Sequence, residues 1–254
     1  MIHLIIYKLE LAGSFYSWRG AIWIITVASI YSLVAYLLLT DKELSLLDQS
    51  EMLFTFSQII VVLGLLMSAI NSSSAISTEI EGGTLECLLL TPIKHSQIAI
   101  QKMLSTETIW IILYLISIPY TIVLANGTNL AIPAILYVGL YGTVLSFAIS
   151  MISIALSWIL KNSKNSIMLA IMIVLLLCAP SLFFGTSLRR TDFGLMLESI
   201  NPYSHAINSL DSILVDNQQA FYEQLPHIWP ILVFTMVCSI IFLKVTKKFE
   251  VIKL

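Results

Sequence analysis

The chain has 254 residues, of which 58% are hydrophobic and only 11% are charged, whereas roughly a quarter of the residues in a soluble domain are charged. The apolar residues lie in long blocks, which are typical of helices that cross a bilayer rather than of a globular core. The net charge of −2 and the lack of a basic run offer no surface for nucleic acid. We therefore interpret the chain as a multi-pass protein of the lipid bilayer with no nucleic-acid partner.

The residues before the first apolar block predict a helix lying in the membrane interface. Apolar residues recur there at helical spacing, and polar residues fall on the other side. The apolar set is Ile2, Ile5, Ile6 and Leu9, and the polar set is His3, Tyr7 and Glu10. Trp18 and Trp23 would lie near the headgroups. The alternative is a frayed terminus.

Six apolar blocks approach or exceed the roughly 20 residues that cross the hydrocarbon core. They cover residues 21–39, 52–76, 108–125, 131–160, 166–184 and 228–243. We predict an all-α membrane protein with a single domain over residues 1–254 and both termini on one side. Ten of the 13 Lys and Arg residues fall in segments on that side, which predicts cytoplasmic termini.

The six blocks contain no Asp, Glu, Lys, Arg or His. Ion-coupled carriers usually place ionisable groups at membrane depth, so coupling to an ion gradient is disfavoured. The lack of HExxH and GxSxG patterns disfavours an intramembrane enzyme with catalytic residues of its own. Cys87, Cys178 and Cys238 form no CxxC pair, so we expect neither a disulfide nor a metal site.

The segment after the second block, residues 78–102, reads TEIEGGTLECLLLTPIKHSQIAIQK. Gly82 and Gly83 are expected to end the helix that continues from the second span, because glycine tolerates the left-handed conformation of a helix stop. Thr91 and Pro92 are expected to begin the next helix as N-cap and first helical residue.

The seven residues between these signals are long enough for about two helical turns. Leu85, Leu88 and Leu89 would share one side, and Glu86 would lie in the first turn, where a carboxylate suits the helix dipole. We predict a short rigid helix that a soluble partner can grip. The alternative is a simple helical hairpin between two spans.

This segment resembles the loop of the membrane subunits of ABC exporters of the second type, which reads approximately E-K/R-E-x-G-T-L-E, followed by apolar residues and T-P. Ile80 and Gly82 depart from that pattern. The span order and the long segment before the last span extend the resemblance to nearly the whole chain. The matching positions are Glu79, Glu81, Gly83, Thr84, Leu85, Glu86, Thr91 and Pro92.

The resemblance implies that residues 84–90 form a cytoplasmic coupling helix that docks on a separate ABC ATPase subunit. ATP and Mg would bind to that partner, because this chain has no GxxxxGK[ST] loop and is expected to need no cofactor of its own. The resemblance also implies a bacterial or archaeal inner-membrane location and a substrate pathway at the interface with a second permease, identical or similar. Gln58 and Asn71 of the second span are candidate pathway residues.

Small residues line one face of the fourth block at spacings of three and four. The set is Gly139, Gly142, Ser146, Ser150, Ser153 and Ser157. Such a face allows close helix packing, and the alternative is a polar wall of a transport cavity.

The long segment before the last block contains a second helix signal. Asn201 and Pro202 are predicted to be the N-cap and first residue of a helix whose apolar stripe begins at Tyr203. The other residues of the stripe are Ala206, Ile207, Leu210, Ile213 and Leu214. This helix would dip into the outer leaflet or cover the mouth of a pathway, as a gate or as a stabilising lid.

The sequence as a whole favours the permease subunit of an ATP-driven exporter of a hydrophobic or amphipathic substrate, such as a drug, peptide, lipid or glycan. Two alternatives stay open. One is a non-transporting complex with an ATPase that serves signalling or assembly, and the other is an ATP-independent channel or membrane enzyme.

Overall fold

The computed structural model describes residues 5–15, 18–40, 48–85, 95–183, 191–216 and 221–251, and their regular elements are all α-helices. Six helical stretches in these ranges are long and apolar enough to cross a membrane, so the predicted all-α membrane fold is confirmed. The helices are α1 (Ile5–Phe15), α2 (Trp18–Thr40), α3 (Gln49–Ser74), α4 (Ser77–Glu81), α5 (His95–Leu124), α6 (Ala131–Leu160), α7 (Ser163–Phe183), α8 (Asp192–Ile200), α9 (Pro202–Leu214) and α10 (Phe221–Val251).

The helices that contain the third and sixth spans, α5 and α10, extend well beyond their apolar blocks. Helix α5 begins 13 residues before the block at residue 108, and α10 begins seven residues before the block at residue 228. Hydropathy marks only the part of a helix that suits hydrocarbon, whereas backbone hydrogen bonding continues past that limit. The extension of α5 brings Lys102 and Glu107 into a helix.

Glu107 contradicts the expectation of spans without charged residues. It lies inside the apolar stretch from Ser96 to Leu124 and is 8% exposed. Its carboxylate accepts hydrogen bonds from Ser146 Oγ at 2.7 Å and Ser150 Oγ at 2.9 Å, near the middle of α6. The two hydroxyls offset part of the cost of burying the group. The argument that a charge-free interior disfavours ion coupling is therefore wrong in its premise.

The small-residue face of α6 serves helix packing. The indole ring of Trp110, on α5, occupies the space beside Gly142 of α6 and Gly64 of α3, and a Cβ at either glycine would overlap the ring. A Cβ at Gly139 would lie only 2.8 Å from the hydroxyl oxygen of Tyr114. The packing interpretation is confirmed at these positions.

Helix α1 forms as predicted, but its contacts differ from the predicted amphipathic arrangement. Ile6 is buried, whereas Leu9 of the same apolar set is 67% exposed. Tyr7 and Glu10, assigned to the solvated side, instead contact α5: the Tyr7 hydroxyl lies 3.0 Å from Thr108 Oγ1, and Glu10 pairs with Lys102. The polar groups of α5 therefore determine which side of α1 faces the bundle.

The helix predicted after Asn201 and Pro202 is confirmed as α9. The Asn201 side chain accepts a hydrogen bond from the Tyr203 backbone at 3.0 Å and donates one to the Leu177 carbonyl of α7 at 2.7 Å. The predicted apolar stripe is buried throughout. Helix α9 thus packs into the bundle, whereas the preceding α8 exposes Phe193 and Met196.

Candidate functional site at the end of the second span

The diglycine ends α4 in the predicted way. Gly83 has a φ of 68°, which glycine adopts without steric cost. The Gly83 N–H donates to the Ile80 carbonyl at 3.2 Å, and the Thr84 N–H donates to the Glu79 carbonyl at 3.0 Å. These two bonds form a Schellman motif, which turns the chain sharply towards Leu85.

Lys102 of α5 joins this turn to the N-terminal helix. Its side chain is 2% exposed and pairs with Glu10 of α1 and with Glu79 of α4, whose Oε1 lies 3.2 Å from Nζ. Glu79 also accepts a hydrogen bond from the Thr84 hydroxyl. A buried ammonium needs such partners because an unpaired buried charge is costly. Three elements therefore meet at one cation.

Glu81 connects the same turn to the start of the fifth span. Its Oε1 accepts a hydrogen bond from the backbone N–H of Ser163 at 2.9 Å, and its Oε2 accepts one from the Ser163 hydroxyl. Ser163 is the first residue of α7, so the carboxylate satisfies a free N–H at a helix N-terminus, where negative charge is favoured.

The junction between α3 and α4 is fixed by the fourth span. Ser157 Oγ accepts hydrogen bonds from the backbone N–H groups of Ile76 at 3.2 Å and Ser77 at 2.8 Å. Ser157 was predicted as a member of the small-residue face, and the structure adds this second role.

Leu85 gives the turn an apolar anchor. Its half-buried side chain packs against a buried cluster that includes Met103 of α5, Trp158 of α6 and Phe242 of α10. A displacement of residues 77–85, which we call the α4 segment, would therefore act on several spans at once.

The structure describes the position of half of the predicted coupling residues, and the coupling role of every one of them stays a prediction. Glu79, Glu81, Gly83, Thr84 and Leu85 lie together in the α4 segment. Glu86, Leu88, Leu89, Thr91 and Pro92 lie outside the described residues. Sequence reasoning missed Glu10, Lys102 and Ser163, because no spacing rule pairs residues so far apart in the chain.

The candidate pathway residues are not brought together. Gln58 and Asn71 are both half-buried on α3, but 13 residues of helix separate them by about 20 Å. The Asn71 side chain donates to the Met67 carbonyl of its own helix at 2.8 Å. Their assignment to a pathway stays a prediction.

A comparison with protein families shows where this architecture belongs. The family described as ABC-2 family transporter protein matches residues 4–249. The chain belongs to the ABC-2 transporter family. As an ABC-2 family member it is a multi-pass membrane component of the permease kind, and membership implies an ABC ATPase as its partner. A comparison with curated proteins gave no significant match.

Proposed function

We propose that this ABC-2 family protein is the transmembrane subunit of an ATP-driven exporter. In this proposal it works with a second permease, identical or similar, and with separate ATPase subunits that bind ATP and Mg. The α4 segment is the observation that carries the proposal. It combines a sharp helix stop with polar contacts to α5, α6 and α7, and Lys102 of α5 links it in turn to α1.

The contacts of the α4 segment suit the transmission of force. A loop held only by its two ends would bend when a partner pressed on it. Here Glu79 and Glu81 attach the segment to different helices, and Leu85 anchors it in a third place. Closure of the ATPase subunits would push on residues 84–90, and the attached spans would rearrange around the pathway.

The close packing where α3, α5 and α6 meet supports a pathway shared with a second permease rather than one inside a single chain. Helices α3 and α6 pack closely through Gly64 and Gly142 against Trp110. Helix α2, by contrast, contacts α3 little and leaves Ile25, Leu33 and Tyr36 more than half exposed. The same shallow, open face of α2 carries Ser29 and Ser32. This mixed face supports a pathway for an amphipathic substrate between two copies or two similar chains.

The test is transport by the complex of the chain with its co-purifying ATPase in proteoliposomes. Leu85→Ala removes the apolar anchor. We expect ATP hydrolysis to continue while substrate flux falls at least about tenfold, which corresponds to an increase of about 1.4 kcal/mol in the activation free energy of transport. Leu104→Ala is the matched control, because Leu104 is 39% exposed on α5. This substitution should leave flux unchanged.

The outcomes separate the proposal from its alternatives. Normal flux in Leu85→Ala would show that the α4 segment does not transmit the motion. ATP hydrolysis without flux of candidate drugs, peptides, lipids or glycans in the wild-type complex would favour a signalling or assembly role. Activity of the chain without any ATPase would contradict the proposal.

A further inference from the structure

Two histidines face each other at the end of the bundle opposite the α4 segment. His205 lies in the first turns of α9, and His227 lies in the first part of α10. Their Nδ1 atoms are 3.4 Å apart and their ring centroids 5.7 Å apart. Both side chains are half-buried, so the pair is accessible at the surface of the bundle. They are 22 positions apart in the chain, which explains why sequence spacing gave no sign of a site.

The tautomer of His205 is fixed by its second nitrogen. Nε2 lies 2.9 Å from the carbonyl oxygen of Ser199, near the end of α8. A carbonyl oxygen only accepts, so Nε2 carries a proton, and in the neutral ring Nδ1 presents its lone pair towards His227. A histidine that ligates a metal characteristically donates its other N–H to a carbonyl or carboxylate in this way.

The distance between the two rings suits a shared ion better than a direct hydrogen bond. N–H hydrogen bonds have donor–acceptor distances of about 2.9–3.0 Å, and 3.4 Å is longer. Two nitrogens that each lie about 2.0–2.1 Å from a tetrahedral zinc ion are about 3.4 Å apart. The spacing therefore matches two neighbouring positions of one coordination sphere.

We propose that His205 and His227 bind one divalent transition-metal ion of the zinc type. Among the described residues no group of three or more His, Cys, Asp and Glu side chains is arranged to hold a metal, so the proposed ion would take its remaining ligands from water. Glu223 lies one helical turn before His227 and is exposed, and its carboxylate favours a cation there. The bound ion ties the α8–α9 pair to the last span.

The test is zinc binding to the full chain in lipid nanodiscs, with a purification tag that lacks histidine and a buffer that lacks imidazole. We expect one zinc ion per chain. His205→Gln and His227→Gln should each weaken binding at least about tenfold, and the double variant should abolish it. His95→Gln is the control, because His95 begins α5 at the other end of the bundle, and it should bind as the wild type does.

Zinc binding that is equal in the wild type and the double variant would overturn the proposal, as would a wild-type chain that binds no zinc. If the variants do not fold, cobalt(II) added to the wild-type chain supplies an independent result. Visible absorption bands of a low-symmetry site with nitrogen ligands are expected, and the spectrum of hydrated cobalt alone would contradict the proposal.

Discussion

The ammonium nitrogen of Lys102 lies 3.2 Å from a carboxylate oxygen of Glu79 while it also pairs with Glu10. A single buried side chain thus holds the N-terminal helix and the segment after the second span on the same point of α5. The position of α1 and the position of the α4 segment are therefore expected to depend on each other.

Replacing Lys102 with methionine should loosen both attachments. Lys102→Met keeps the length of the side chain but leaves two carboxylates facing each other without a cation. Because each carboxylate is about a quarter exposed, we expect the free energy of unfolding to fall by about 2 kcal/mol, which is less than for a fully buried pair. Hydrogen exchange of residues 5–15 should accelerate.

Lys8→Met is the matched control for this change. Lys8 lies on α1 but is exposed, and its replacement should leave exchange of α1 unchanged. Equal exchange rates in the two variants would show that the ion pairs do not hold α1.

Replacing Gly83 should alter the exit of the chain from α4. Gly83→Ala places a Cβ at a φ of 68°, which costs about 1–2 kcal/mol, so the turn should shift and ATP-driven flux should fall. Gly83→Asn should retain more flux, because asparagine tolerates this region better than alanine. Higher flux in Gly83→Ala than in Gly83→Asn would contradict this role of the turn.

Adding a methyl group at Gly142, where Trp110 packs, should destabilise the bundle. Gly142→Ala puts a methyl group where the indole ring lies, and overpacking of this kind costs about 1–3 kcal/mol. The unfolding temperature in detergent should fall, and a second substitution, Trp110→Phe, should restore part of it. Gly13→Ala is the control, because no atom lies within 4 Å of a Cβ there; a fall as large as that of Gly142→Ala would contradict the packing explanation.

Glu107 should act as a hydrogen-bond acceptor that joins α5 and α6. Glu107→Ala removes the partner of Ser146 and Ser150 and should cost about 1–3 kcal/mol, measured as a lower unfolding temperature. Glu107→Gln retains an acceptor, so its unfolding temperature should be much closer to that of the wild type. If transport falls in Glu107→Gln while stability does not, the carboxylate has a role beyond packing.

Local signals made much of the fold predictable. The diglycine and the Asn201–Pro202 pair each act on the backbone beside them, so the end of α4 and the start of α9 follow from a few adjacent residues. The long apolar blocks identified the six spans because the bilayer fixes their length.

Contacts between distant residues were not predictable in this way. Lys102 pairs with residues 92 and 23 positions away, and Glu81 reaches Ser163 across 82 positions. Glu107 lies one residue before the predicted apolar block, so hydropathy placed it outside the third span. In the structure the apolar part of the helix begins earlier and includes it. Tyr7 and Glu10 contact side chains of α5, and the spacing of residues within α1 carries no information about those partners.

Cytoplasmic exposure of residues 78–92 is the requirement on which ATP-driven transport by this chain depends. Cys87 falls in this segment, outside the described residues, whereas Cys178 and Cys238 are buried in spans. The direct measurement is labelling of Cys87 by a membrane-impermeant maleimide, with Cys87→Ser as the control. We predict labelling in inside-out vesicles and none in right-side-out vesicles; labelling only in right-side-out vesicles would place the segment beyond the reach of any ATPase and contradict the proposed function.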